Sequence, residues 1–199
     1  MSTNIVAGPF LYQGNMLIGS YNVDPQNNPN KSLVTIVQPT GDIKKVWRED
    51  IADDHSATGD IVLDGDTIYA SSNFTVTALT SKGKKIWQQE GKDGGVSAGS
   101  MRGVRFEKEF GYRYFGGQGM VMGGDRLYLA THRKIMGPDP TGKKKKEVEL
   151  WTDVVTVLNK ADGSYVRTID VQQNIVDLNV WNGRLAVATP LGVHFLALD

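Results

Sequence analysis

A glycine-containing turn followed by a short apolar run occurs four times, and this repetition limits the possible folds more than any other feature of the 199 residues. The turns are Tyr12-Gln13-Gly14-Asn15, Leu63-Asp64-Gly65-Asp66, Met122-Gly123-Gly124-Asp125 and Trp181-Asn182-Gly183-Arg184. Their glycines Gly14, Gly65, Gly124 and Gly183 stand 51, 59 and 59 residues apart. The runs that follow read MLIGS, TIYASS, RLYLAT and RLAVAT. Short β-branched or aromatic runs bounded by Gly, Asp and Asn read as strands joined by hairpins.

Each copy continues in the same way. A further strand follows as Leu33–Gly41, Val76–Gly83, Val154–Gly163 and Gly192–Asp199. A glycine turn and an outer strand come next: DIKKVWRED, KKIWQQE and SYVRTIDV. No outer strand follows in the fourth copy, where the sequence stops at Asp199. The cleanest copy is Asp64–Glu90, which carries no insertion. A unit of several strands repeated at this period reads as a propeller blade. The expectation is one all-β domain over 1–199, a β-propeller of about four blades of antiparallel strands, the last lacking its outer strand. The blades are placed at 4–50, 57–90, 117–171 and 174–199, with an insertion over 91–117.

The residues Asp64, Gly65, Tyr69, Ala78, Leu79, Gly83, Lys84 and Trp87 form a pattern that resembles the quinoprotein-type (PQQ-like) propeller repeat. The first copy matches through Gly14, Gly41 and Trp47, the third through Gly124, Tyr128, Leu158 and Gly163, and the fourth through Gly183, Ala197, Leu198 and Asp199. The resemblance implies that Trp47 and Trp87 pack between neighbouring blades. It does not carry the cofactor over. The family's quinone-dependent dehydrogenases use adjacent cysteines, and this chain has none. Such repeats serve enzymes, scaffolds and adhesins alike, so the fold leaves function open.

Charge narrows the partners. Lys plus Arg and Asp plus Glu both number 22, for a formal net charge of zero, so no global field draws the chain to nucleic acid or an anionic membrane. The absence of cysteine excludes disulfides, thiolate metal sites and thiol nucleophiles. The start MSTNIVAGPF has no basic segment followed by an apolar core, and no apolar run reaches the roughly 20 residues of a spanning helix. The expected location is the cytoplasm, or a virion assembled there.

Asn4-Ile5-Val6 lines up with Asn174-Ile175-Val176, so the chain is read as beginning on an inner strand. The fourth blade then ends on an open edge at Val193, Phe195 and Ala197, and open edges invite pairing with another chain. Three closures follow: four blades alone, two chains forming one eight-bladed ring, or completion by a partner protein.

Three insertions depart from the clean copy. Asn22–Lys31 is polar and reads as a hairpin tip. Arg133–Glu149 reads as the equivalent loop of the third blade and carries the run Lys143–Lys146, a solvated flank with no aromatic platform for nucleic acid. Gly91–Gly119 is the most unusual, with nine glycines in 29 residues around an alternating centre. Its alternation suggests an extra hairpin or strand projecting from the ring. Its candidate contact residues are Arg105, Phe106, Phe110, Tyr112, Arg113, Tyr114 and Phe115, the residue types enriched in protein interfaces.

No catalytic set assembles. His55, His132 and His194 lie in different copies with no zinc spacing, and Asp60, Asp64 and Asp66 lack the closing glutamate of a calcium loop. Asp53-Asp54-His55 reads as turn chemistry. No nucleophile elbow, phosphate loop or dinucleotide fingerprint is present. The expectation is a non-enzymatic interaction propeller with no cofactor and no metal, a subunit of a larger assembly such as a phage or virus particle. Its partner is another protein chain or a second copy. The alternative is a glycan-binding or carbohydrate-active propeller, with Tyr112, Arg113, Glu107 or Glu109 as the reacting groups.

Overall fold

A computed structural model describes residues 2–23, 31–40, 43–47, 58–72, 75–90, 104–105, 112–114, 119–143 and 147–198, with the backbone alone at 2–8, 20–23, 31–37, 43–47, 58–59, 72, 75, 90, 104–105, 112–114, 132–136 and 148–151. Every regular element among them is a strand. The first sheet is β1 (Ser2–Tyr12), β2 (Asn15–Val23), β3 (Lys31–Val37) and β4 (Ile43–Trp47), in that order. The second is β5 (Thr58–Asp64), β6 (Thr67–Ser72), β7 (Thr75–Thr80) and β8 (Lys85–Glu90). The third holds β9 (Val104–Arg105), β10 (Tyr112–Tyr114), β11 (Met120–Gly123), β12 (Arg126–Gly137), β13 (Val148–Asn159) and β14 (Tyr165–Asp170). The fourth is β15 (Asp177–Trp181), β16 (Arg184–Thr189) and β17 (Gly192–Ala197). The first, second and fourth sheets are antiparallel meanders, the third is a β11–β14 meander with β10 and β9 added beside β12, and the fourth has no outer strand among the described residues. This is a β-propeller arrangement.

The hairpins follow from local chemistry. The two-residue turns Gln13-Gly14 and Asn182-Gly183 have positive φ at both residues, at 48° and 74° and at 49° and 71°. That is the type I′ requirement, which Gly and Asn meet at least cost. At the third turn of the blade, Gly83 and Gly163 have φ of 78° and 73°, and a register shift precedes each, at Ala78/Leu79 and Val157/Leu158.

Among the described residues the core is three clusters, one between each successive pair of sheets. Tyr12 and Leu17 of the first sheet meet Ile61, Ile68, Ala70 and Leu79 of the second. Tyr69, Val76 and Ala78 meet Met120, Leu127, Leu129 and Leu158. Tyr128, Ala130, Val155 and Val157 meet Leu178, Leu185 and Val187. Alternation explains this: odd and even positions on a strand face opposite neighbours, so both faces of a blade are apolar. Fully burying each Leu, Ile or Val contributes about 1.5–3 kcal/mol.

Backbone amides held by carboxylates are among the polar staples that join the blades. Met120 N–H donates to Asp60 Oδ2 at 2.7 Å, tying β11 to β5. Ile175 N–H donates to Asp153 Oδ2 at 2.7 Å, tying the approach to β15 to β13. Asn4-Ile5-Val6 lies within β1, whereas Asn174-Ile175-Val176 leads into β15, with the Ile175 amide on Asp153 and the Val176 amide on the Ala188 carbonyl.

The Arg133–Glu149 expectation needs a larger correction. β12 and β13 stay paired from Arg126↔Asn159 out to Gly137↔Val148, so Arg133–Gly137 and Val148–Glu149, at the two ends of that segment, are ladder and not loop. Continuous register costs little here, because each added pair extends an existing hydrogen-bonded hairpin. The tip turns at Pro138–Gly142, where Thr141 N–H donates to Asp139 Oδ1 and Gly142 takes φ of 67°. Lys144, Lys145 and Lys146 lie outside the described residues, as do Asp53, Asp54 and His55.

Candidate functional site

The third sheet differs most from its neighbours. Its central strands β12 and β13 have twelve residues each, against six each for β6 and β7. The inner half of β12 pairs with β11, through Met120↔Leu129 to Gly123↔Arg126. The outer half pairs with β10, through Tyr114↔His132 and Arg113↔Arg133. β9 then adds beyond β10, through Tyr112↔Arg105 and Arg113↔Val104. The Gly91–Gly119 segment thus supplies a short hairpin laid along the extension of the third blade.

This brings four of the candidate contact residues together. Arg105 lies on β9, and Tyr112, Arg113 and Tyr114 lie on β10. Cross-strand partners share a face, so Arg105 goes with Tyr112 and, two residues on, Tyr114. Arg113 falls on the opposite face, in register with Val104 and Arg133. Phe106, Phe110 and Phe115 lie outside the described residues.

The other candidates, Val193, Phe195 and Ala197, sit on β17, whose second edge has no partner strand among the described residues. Their side chains belong to a face more than to an edge. Phe195 is paired with Ala186 and its ring lies 5.7 Å from that of Trp181 on β15. Trp181, Val193 and Phe195 are exposed. Trp181 was not among the sequence candidates. Its signal was its place at the end of an inner strand, the place held by Tyr12 in the first copy.

The buried polar groups serve the scaffold. Burial raises the Asp60 carboxyl above its ordinary value, the amides of Met120 and Ile61 pull it down, and Asp177 raises it further. Burial raises the Tyr69 phenol to about 12, with Asp64 adding to the shift. Trp87 Nε1–H donates to the Lys160 carbonyl oxygen at 3.0 Å, so this Trp does pack between blades. Trp47 is described by its backbone alone, paired with Val34. His194 is exposed, with Nε2 at 3.4 Å from Thr189 Oγ1. Among the described residues no group of three His, Cys, Asp or Glu could hold a metal ion.

No protein-family model and no curated protein sequence matches the chain. Solved propellers do. The Pan2 WD40 domain of Neurospora crassa superposes with a TM-score of 0.54 at 13% identity, over 94% of this chain and 44% of that one. BamB from Moraxella catarrhalis gives 0.43 at 15% identity, over 97% and 73%. KlAtg21, solved in complex with the coiled-coil of AgAtg16, gives 0.46 at 10% identity, over 87% and 45%. The chain has the β-propeller fold and spans less than half the length of the Pan2 chain. At these identities the likeness concerns the fold alone.

Proposed function

We propose that this chain is a non-enzymatic interaction propeller, a subunit of a larger assembly that holds a partner protein on the extension of its third blade. The observation that carries this is the lateral addition of β10 and β9 to the outer half of β12, beyond the part of the sheet that the other blades share. Strands of ordinary length suffice to pack blade on blade, as the second blade shows. Four of the five added residues are Tyr or Arg, types that anchor protein interfaces through large, amphipathic contact area. The complex of KlAtg21 with a coiled-coil is one case of a solved chain of this general kind that engages another protein.

Replacing Met101–Phe115 by a Gly-Ser segment of equal length tests the reading. The expected result is a partner protein retained by the intact chain and lost by the variant, at unchanged unfolding midpoint. Retention by the variant overturns it. A second reading rests on the shared face of Tyr112 and Tyr114, which suits stacking on a sugar ring. Saturable glycan binding, abolished by Tyr112→Ala with Tyr114→Ala, would select it.

A further inference from the structure

The two ends of the blade series carry the two halves of one interface. In every interior junction, the face a blade turns backward presents equivalent residues. Leu63 pairs with Ile68 in the second sheet, Met122 with Leu127 in the third and Val180 with Leu185 in the fourth. Ile68, Leu127 and Leu185 are all fully buried against the preceding blade. In the first sheet the same pair is Leu11 and Met16. These are 82% and 38% exposed.

The forward faces match as well. Each has an aromatic ring near the hairpin, in one of two adjacent places. Diagonally across the hairpin, the first sheet has Tyr12 (opposite Asn15) and Leu17 (opposite Phe10), the second Asp64 and Tyr69 (opposite Val62), and the third Gly123 and Tyr128 (opposite Val121). A Cβ on Gly123 would meet the Leu198 side chain at 2.9 Å and the Tyr128 ring at 3.3 Å, so the place beside Tyr128 is left small. The fourth sheet has Trp181 (opposite Arg184) and, on the diagonal, Ala186 (opposite Asn179). The small Ala186 lets Trp181 and Phe195 meet across β16 at 5.7 Å. Tyr12, Tyr69 and Tyr128 are buried in junctions, whereas Trp181 is 63% exposed. Inner strands pack in order, β1 on β5, β5 on β11 and β11 on β15, and no comparable packing joins β15 to β1 among the described residues.

We propose that the forward face of the fourth sheet, built on Trp181, Val193 and Phe195, docks on the Leu11–Met16 face of a second copy of this chain, and reciprocally. Two arcs then close into one ring of eight sheets through two head-to-tail junctions. The occupant is specified by continuity: the free backward face is the surface that three interior forward faces already use. This deepens the reading of the chain as an assembly subunit but does not depend on the β9–β10 extension.

Analytical ultracentrifugation of the 199-residue chain tests it. The expected species is a dimer. Trp181→Arg and Leu11→Arg change exposed side chains, and retention of the native near-ultraviolet dichroism confirms folding. Each variant alone is expected to be monomeric, with dimerisation weakened roughly a thousandfold, since an interface Trp is worth about thirtyfold and the closed dimer holds two junctions. An equimolar mixture of the two variants regains one intact junction and is expected to form a weaker heterodimer. That complementation separates head-to-tail docking from a symmetric contact. Three outcomes overturn the proposal: a monomeric parent chain, a Leu11→Arg dimer as tight as the parent, or no complementation in the mixture. A parent dimer that survives replacement of 101–115 while partner binding is lost shows the two surfaces to be independent. If no partner is found but the dimer and its complementation persist, the extension reading fails and this one stands.

Discussion

Trp87 and Lys160, 73 positions apart in the chain, are joined by a hydrogen bond from the indole Nε1 to the backbone carbonyl at 3.0 Å. The same carbonyl oxygen lies 3.4 Å from the Tyr69 hydroxyl, and the Lys160 ammonium reaches Asp64 at 2.6 Å. The outer strand of the second blade is thus clasped by the β13–β14 turn of the third. Removing the indole N–H in Trp87→Phe should cost about 1–2 kcal/mol, because a half-buried carbonyl loses its better donor. Trp87→Ala should cost about 3–4 kcal/mol, adding lost packing against Tyr69. Urea unfolding curves of the two variants check both values.

Gly163 and Gly183 separate backbone strain from crowding. Their φ values are nearly equal, at 73° and 71°. A Cβ on Gly163 would lie 2.5 Å from Trp87 Cε3, whereas a Cβ on Gly183 would meet nothing within 4 Å. Gly183→Ala should therefore cost about 1 kcal/mol for the left-handed backbone alone. Gly163→Ala should cost about 2–4 kcal/mol, since the ring must also move. Equal losses in thermal or urea unfolding would sink this account of the Trp87 clasp.

Tyr69 should limit stability in alkali. Its phenol is raised from 10.0 to about 12 by burial and by Asp64. Above pH 10 the unfolded chain releases this proton and the folded chain holds it. Stability from this group is therefore complete below pH 10 and lost as pH rises through about 12. Tyr69→Phe removes that slope. The stability gap between the parent and the Phe variant should move in favour of Phe between pH 10 and 11.5, as read by urea midpoints.

Asp60 should do the same at the acid end. Its carboxyl is held above its ordinary value mainly by burial, so the folded state favours the protonated form relative to the unfolded state. The resulting stabilisation is present in acid and lost as pH rises through the folded value. Asp60→Asn cannot ionise, so the advantage of the parent over this variant should shrink from the acid range toward neutral. Asp60→Ala strands the amides of Ile61 and Met120 and should cost about 2–3 kcal/mol. Equilibrium unfolding of the three proteins across that range is the check.

The extension of the third blade was only partly legible. Alternation around Phe106–Tyr114 indicated a strand, and β10 forms at Tyr112–Tyr114. The prolines and glycines at 137–142 concealed that Arg133–Gly137 and Val148–Asn159 continue the ladder. A turn signal marks where a hairpin reverses, but strand length depends on what pairs at the edge, here β10. The edge residues Val193, Phe195 and Ala197 were recognised as unusual for their place in an incomplete blade. That two of them build a face with Trp181 depends on the register of three strands.

The amino-acid order alone settled the hairpins, the four-fold repetition and the all-β class. These rest on the positive φ that Gly14, Gly83, Gly163 and Gly183 adopt and on the two-residue period of strands, both local properties of the backbone. Tertiary packing alone decided which face of each blade meets which neighbour. It placed Trp87 on Lys160 and Asp60 under Met120, and left Leu11 and Trp181 uncovered where their counterparts are buried. Equivalent positions in a repeat carry the same local preference, and only the presence or absence of the next sheet gives them different surroundings.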